Sequence, residues 1–222
     1  MIRASILAVS LLFALFATPA LASPTGGGHA HETPTYIHSE APTDRVMGSA
    51  EADHTLIVYA SNVCPHCGSW FANEWPAIKT NLIETGLLRV VFRPLPSEPI
   101  QLSLTGFLMA ECAADDNYMA VIEDQFARQD TILRAVGIND GAVIKAQYDA
   151  LAAVAGLTDQ ASIAACLNQE THMKTLQTSA ARAGAAGISN IPSFIFDGTV
   201  MSGAHDANAI QGWVEGRSSA RR

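Results

Sequence analysis

Positive charge is scarce in this sequence: 13 lysines and arginines stand against 21 aspartates and glutamates, a formal net charge of -8 at neutral pH. A surface this acidic repels phosphate backbones, which argues against nucleic acid as a partner. Long apolar runs are missing too. The one extended run, Ile6 through Phe16, is shorter than the roughly 20 residues a spanning helix needs. Cysteine is limited to Cys64, Cys67, Cys112 and Cys166, with a single C-x-x-C pair at Cys64-Pro65-His66-Cys67. A zinc site built from such pairs would need a second one, and c-type haem attachment would need a histidine where Gly68 follows Cys67. Neither a metal nor a cofactor is therefore expected.

What is present begins with an export signal over residues 1–22: a positive charge at Arg3, the apolar run, and the small-residue triplet Ala20-Leu21-Ala22. Cleavage after Ala22 removes Arg3 and leaves the exported chain still more acidic. It also delivers all four cysteines to an oxidising compartment, where an even number favours pairing. Residues 23–45 carry Gly26-Gly27-Gly28, Pro34 and Pro42 with few apolar side chains, the composition of a flexible leader. Its His29, His31 and His38, with Glu32, could ligate a metal, but so flexible a segment offers no preformed site.

The remaining chain, residues 46–216, is long enough for one core. Thr55 to Ala60 is a short apolar run with β-branched residues, which suits a buried strand, and it leads through Ser61-Asn62-Val63 into the cysteine pair. From Pro65 onward Trp70, Phe71, Trp75, Ile78 and Leu82 recur at helical spacing up to Gly86. Leu88 to Phe92 reads as a second strand, parallel to the first because a helix connects them. The segment of about 101–187 is alanine-rich, with breaks at Asp115 to Asn117, Gly137 to Gly141, Gly156 to Asp159 and Asn168; it predicts four or five helices inserted into an α/β domain. Ser193 to Phe196, Asp197-Gly198 and Thr199 to Met201 form a predicted hairpin with a primed turn. A helix over Asp206 to Glu215 closes the domain, and a basic tail occupies 217–222.

The chemistry concentrates at the cysteine pair. A thiolate, and not a thiol, attacks a disulfide. A helix starting at Pro65 places Cys64 at its N-terminus, where unpaired N–H groups and about half a positive charge face the sulfur. Pro65 suits the first turn, since its missing N–H would have had no partner there. His66 adds a donor or a charge beside the sulfur. A stabilised thiolate makes the disulfide a better oxidant, about 30 mV for each ~1.4 kcal/mol. Cys67, one turn further in, is the expected resolving thiol.

These residues, together with Gly187-Ile188-Ser189-Asn190-Ile191-Pro192-Ser193-Phe194 and the following Asp197-Gly198 and Ser202-Gly203-Ala204, resemble the DsbA-like branch of the thioredoxin superfamily. The resemblance covers most of 46–216 and implies a thioredoxin fold with an all-helical insertion domain. It implies that Pro192 is cis against the cysteine pair and that Ile191 pairs its backbone with substrate. It further implies a periplasmic enzyme that passes disulfides to reduced or unfolded exported proteins and is reoxidised by a membrane quinone-linked partner; with the segment before the domain too short and polar to dimerise, a monomer is expected. A second disulfide, here Cys112–Cys166, is implied by family members that carry one in the insertion. Two departures stand out: Val58 occupies the place of the family's buried acid, and Ile191 precedes the proline as in reducing thioredoxins. They keep a disulfide reductase or isomerase open as the alternative, and thiolates with histidines keep a copper carrier as a more distant one.

Overall fold

The structure, a computed structural model, describes residues 35–220, with only the backbone of 218–220. The export signal, the leader up to residue 34 with His29, His31 and Glu32, and the final two arginines lie outside the described residues. Five strands form one sheet in the order β1-β3-β2-β4-β5. They are β1 Val46–Met47, β2 His54–Ala60, β3 Leu88–Pro94, β4 Ser193–Phe196 and β5 Thr199–Val200. The central pair β2 and β3 is parallel, with Val58 opposite Phe92, while β4 runs antiparallel to β2, with Val58 opposite Phe194. Burial on both faces explains the unbroken apolar composition of β2 and β3. The edge strand β1 is too short to have left a pattern in the sequence.

Helix α1, Pro65–Asn73, follows β2 directly. The single helix expected up to Gly86 is instead three pieces. It breaks at Glu74, resumes as α2, Trp75–Ile78, and finishes in a π-turn over Lys79–Ile83. Pro76 is the local cause, because it has no N–H to continue the ladder. The break is used: Glu74 Oε2 accepts the Ala207 N–H at 2.9 Å, at the start of the last helix.

The insertion consists of α3 Ile100–Glu111, α4 Tyr118–Gly137, α5 Gly141–Val154, α6 Gln160–Leu167 and α7 Glu170–Ala185, with the breaks where glycine and capping residues predicted them. Asp140 caps α5 and Asp159 caps α6, each accepting a backbone N–H. The closing helix α8 spans Ala207–Ala220. Residues 217–220 are thus its last turn, not a tail, and Arg217 lies over the rings of Trp213 and Phe196.

The two faces of the sheet are covered unequally. Leu56, Val58, Ala60, Val90, Phe92, Phe194 and Phe196 join one large core with α1, α2, α8 and the insertion. The opposite face, Ile57, Tyr59, Val91 and Ile195, is covered by Ala183, Ala186 and Ile188 at the end of α7. Here the expectation of a flexible leader is corrected for residues 35–45. Arg93, 1% exposed, donates to the carbonyls of Ile37 and Ser39 and to Asp44, and Arg182 donates to the Thr35 carbonyl and to Asp44. One carboxylate therefore neutralises two nearly buried guanidinium groups and pins the leader to the domain.

Candidate active site

Cys64 is the residue before the first turn of α1, with extended backbone angles of φ -83° and ψ 118°, and no side chain caps this helix start. The first-turn N–H groups thus have no side-chain partner, and Cys64 sits at the positive end of the helix. Gly68 N–H closes the first helical hydrogen bond on the Cys64 carbonyl at 3.0 Å. Pro65 and His66 are exposed at the helix start, Cys64 is half-buried and Cys67 fully buried. Both cysteines carry free thiols.

The segment before β4 returns to this point. The Ile191–Pro192 bond is cis, and the Cys64 thiol donates to the Ile191 carbonyl at 3.8 Å. The structure thus brings Cys64 against Ile191, and with them the adjoining Pro65, His66, Cys67 and Pro192, though Ile191 follows Cys67 by 124 positions in the chain. Beneath them Phe194 lies 4.9 Å from the Trp70 ring and 4.8 Å from His205, and the Trp70 indole N–H donates to the His205 carbonyl at 2.7 Å. His205 escapes a reading of the sequence because nothing local distinguishes it.

Around Cys67 the surroundings are apolar, and burial pushes its thiol well above its usual range; the Ser61 N–H, 3.5 Å from the sulfur, opposes this. Burial thus disfavours a thiolate at Cys67. Val58 is fully buried in the same core as Cys67. Polar groups nearby are hydroxyls and amides: Ser97 donates to Ser61 Oγ at 2.8 Å, and Ser61 Oγ lies 3.3 Å from Ser103 Oγ.

Cys112 and Cys166 form a disulfide with Cα atoms 6.0 Å apart. They lie in the insertion, Cys112 just past the end of α3 and Cys166 in the last turn of α6. Nothing local in the sequence marks His172, yet its Nδ1 is 3.5 Å from Cys166 Sγ. The two sulfurs and this nitrogen lie within 4.8 Å of one another, but sulfurs bonded to each other offer no thiolate to a metal.

The family model described as Thioredoxin (Thioredoxin_4) matches residues 40–216. No curated protein matches the chain significantly in sequence. Among solved structures, Wolbachia pipientis alpha-DsbA1 is similar at a TM-score of 0.69 and 21% identity, covering 82% of this chain and 96% of that one. The protein-disulfide isomerase from Novosphingobium aromaticivorans gives 0.66 at 20% identity, covering 78% and 97%. Oxidised BdbD from Bacillus subtilis gives 0.65 at 17%, covering 83% and 95%. At these identities the likeness establishes a shared fold, including the helical insertion.

Proposed function

The chain belongs to the thioredoxin family, and we propose that it is an exported protein thiol–disulfide oxidoreductase that oxidises dithiols in other exported proteins through Cys64 and Cys67. The observation that carries this reading is the half-buried Cys64 sulfur at an uncapped helix start, facing the Ile191 carbonyl, with Cys67 buried one turn below. In the oxidised enzyme a substrate thiolate attacks Cys64 Sγ, the accessible sulfur of the pair. The Cys64–Cys67 bond breaks, a Cys64–substrate disulfide forms, and Cys67 leaves with the bonding electrons and takes up a proton. The second substrate thiolate then attacks the substrate sulfur of that mixed disulfide and expels Cys64 as a thiolate. The substrate loses two electrons, the pair gains two, and of the two protons given up by the substrate thiols one stays on Cys67 and one goes to solvent.

The backbone of Ile191 is placed to pair with an extended substrate segment beside the sulfur. Export rests on the first 22 residues, and periplasmic location and a membrane quinone-linked reoxidising partner rest on the resemblance. Among the described residues no helix is long and apolar enough to cross a membrane. A reductase or isomerase is the second reading. It is favoured by Ile191, which precedes the cis-proline as in reducing thioredoxins.

The deciding experiment is the equilibrium of the Cys64–Cys67 couple with glutathione, followed with oxidative folding of a reduced protein. An oxidising couple that speeds disulfide formation supports the oxidase. A couple as reducing as thioredoxin, about -270 mV, defeats it in favour of the second reading.

A further inference from the structure

Two glutamines on α4, one helical turn apart, reach out of the insertion into the loop that carries the nucleophile. Gln129, 6% exposed, donates from Nε2 to the carbonyls of Asn62 at 2.9 Å and Cys64 at 3.0 Å. Gln125, 3% exposed, accepts from Asn62 Nδ2 at 2.8 Å and donates to the Gly106 carbonyl at 2.8 Å. The Asn62 side chain is closed off by Ser103, whose hydroxyl donates to Asn62 Oδ1 at 2.7 Å. Space for both glutamines comes from glycine. A Cβ at Gly68, the residue after Cys67, would lie 2.0 Å from Gln129 Oε1, and one at Gly106 would lie 2.3 Å from Asn62 Nδ2.

A primary amide that donates to the carbonyls on either side of Val63 restricts the rotation of residues 62–64. Cys64 must stay extended if its sulfur is to face the open N–H groups of α1. Its carbonyl already accepts from Gly68 N–H. A second donor from Gln129 holds that oxygen, which carries partial negative charge, on the side of the donors. We propose that Gln129 is a positioning residue for Cys64, acting through the backbone to hold the sulfur at the helix start and so to favour the thiolate over the disulfide. Gln125 supports the same loop through Asn62. The insertion thereby sets the reactivity of a cysteine that belongs to the α/β domain.

This inference rests on Cys64–Cys67 as the exchanging pair. The test is Gln129→Met in the full exported chain, which keeps the volume and removes both donors. Three readouts are taken: the ultraviolet thiolate absorbance of Cys64 against pH, the glutathione equilibrium, and melting of both redox forms. The expected result is a higher thiolate midpoint, a glutathione equilibrium shifted roughly threefold to tenfold toward the disulfide, and a larger loss of Tm in the reduced form than in the oxidised. An unchanged midpoint and equal losses in both forms overturn the proposal and leave Gln129 a packing residue. The Gly68→Ala/Gln129→Ala pair gives a second route if the first variant folds poorly. There the added methyl has room, so stability is largely kept, and the proposal requires the same shift in midpoint. If the wild-type pair neither titrates nor exchanges with glutathione, the reading of the active site fails and the proposal falls with it.

Discussion

The two cysteine pairs of this protein are the same chemistry placed at opposite ends of helices. Cys64 precedes the first turn of α1, where the helix presents its positive end. Cys112 follows α3 and Cys166 sits in the last turn of α6, where carbonyls and the negative end of the dipole disfavour a thiolate. The Cys112 sulfur lies 3.0 Å from the Leu108 carbonyl. The helix dipole therefore acts in opposite senses on the two pairs. Spacing reinforces the contrast. Cys64 and Cys67 close a loop too small to constrain the unfolded chain, whereas Cys112 and Cys166 are 54 residues apart and join α3 to α6. On the function proposed above, one pair exchanges and the other holds.

The contrast is broken most completely by removing one sulfur of the first pair. Cys64→Ser abolishes protein dithiol oxidation, while Cys67→Ser leaves a nucleophile without its resolving partner and accumulates mixed disulfides, visible as mass-shifted adducts on non-reducing analysis. Next in size, Cys112→Ser/Cys166→Ser lowers stability by about 4 kcal/mol in the chain-entropy account. The exchange rate at moderate temperature should stay within about twofold, because substitutions at distant sites with no shared partners act nearly independently. Denaturant melts and an exchange assay on one preparation check both halves.

A third prediction concerns the neighbourhood of the structural pair. Glu111, adjacent to Cys112, is buried, which raises its carboxyl pKa to about 7, against the opposing influence of Arg45 and a hydrogen bond from Tyr118. The folded state then holds this proton more tightly than the unfolded chain. The stability it contributes is complete below the ordinary carboxyl pKa of 4.5 and is lost as pH rises through about 7. Glu111→Gln should therefore gain on the wild type by up to about 3 kcal/mol across that window. A stability difference that does not change with pH would rule out a buried, titrating Glu111. The smallest effect is expected at His172. Its Nδ1 can stabilise Cys166 as a leaving thiolate, so His172→Ala should slow reduction of the Cys112–Cys166 bridge severalfold and leave exchange at Cys64 unchanged.

Legibility in the sequence followed the range of the interactions. The strand into the cysteine pair, the helix starting at Pro65 and the hairpin were readable because each depends on neighbours in the chain. At the hairpin, Asp197 and Gly198 both adopt positive φ, 44° and 82°, as the short connection demands. The break at Glu74 is hidden although Pro76 is in view, because apolar spacing continues across it and the capping of α8 that uses it comes from far along the chain. The leader misleads for a related reason. Its composition is polar, and what orders residues 35–45 is Arg93 on β3 and Arg182 on α7, charges that a sequence scan assigns to the surface.

The sequence by itself determined the candidate pair: its spacing, its place at a helix start and the strand that leads to it, since backbone geometry over a few residues enforces all three. Tertiary structure alone decided what surrounds that pair. It set the Ile191 carbonyl against Cys64, buried Cys67 in the same core as Val58, joined Cys112 to Cys166 and fitted Gln129 into the space left by Gly68. Each of these is a meeting of side chains or carbonyls from distant segments, and only packing of the α/β domain against its insertion selects which of them meet.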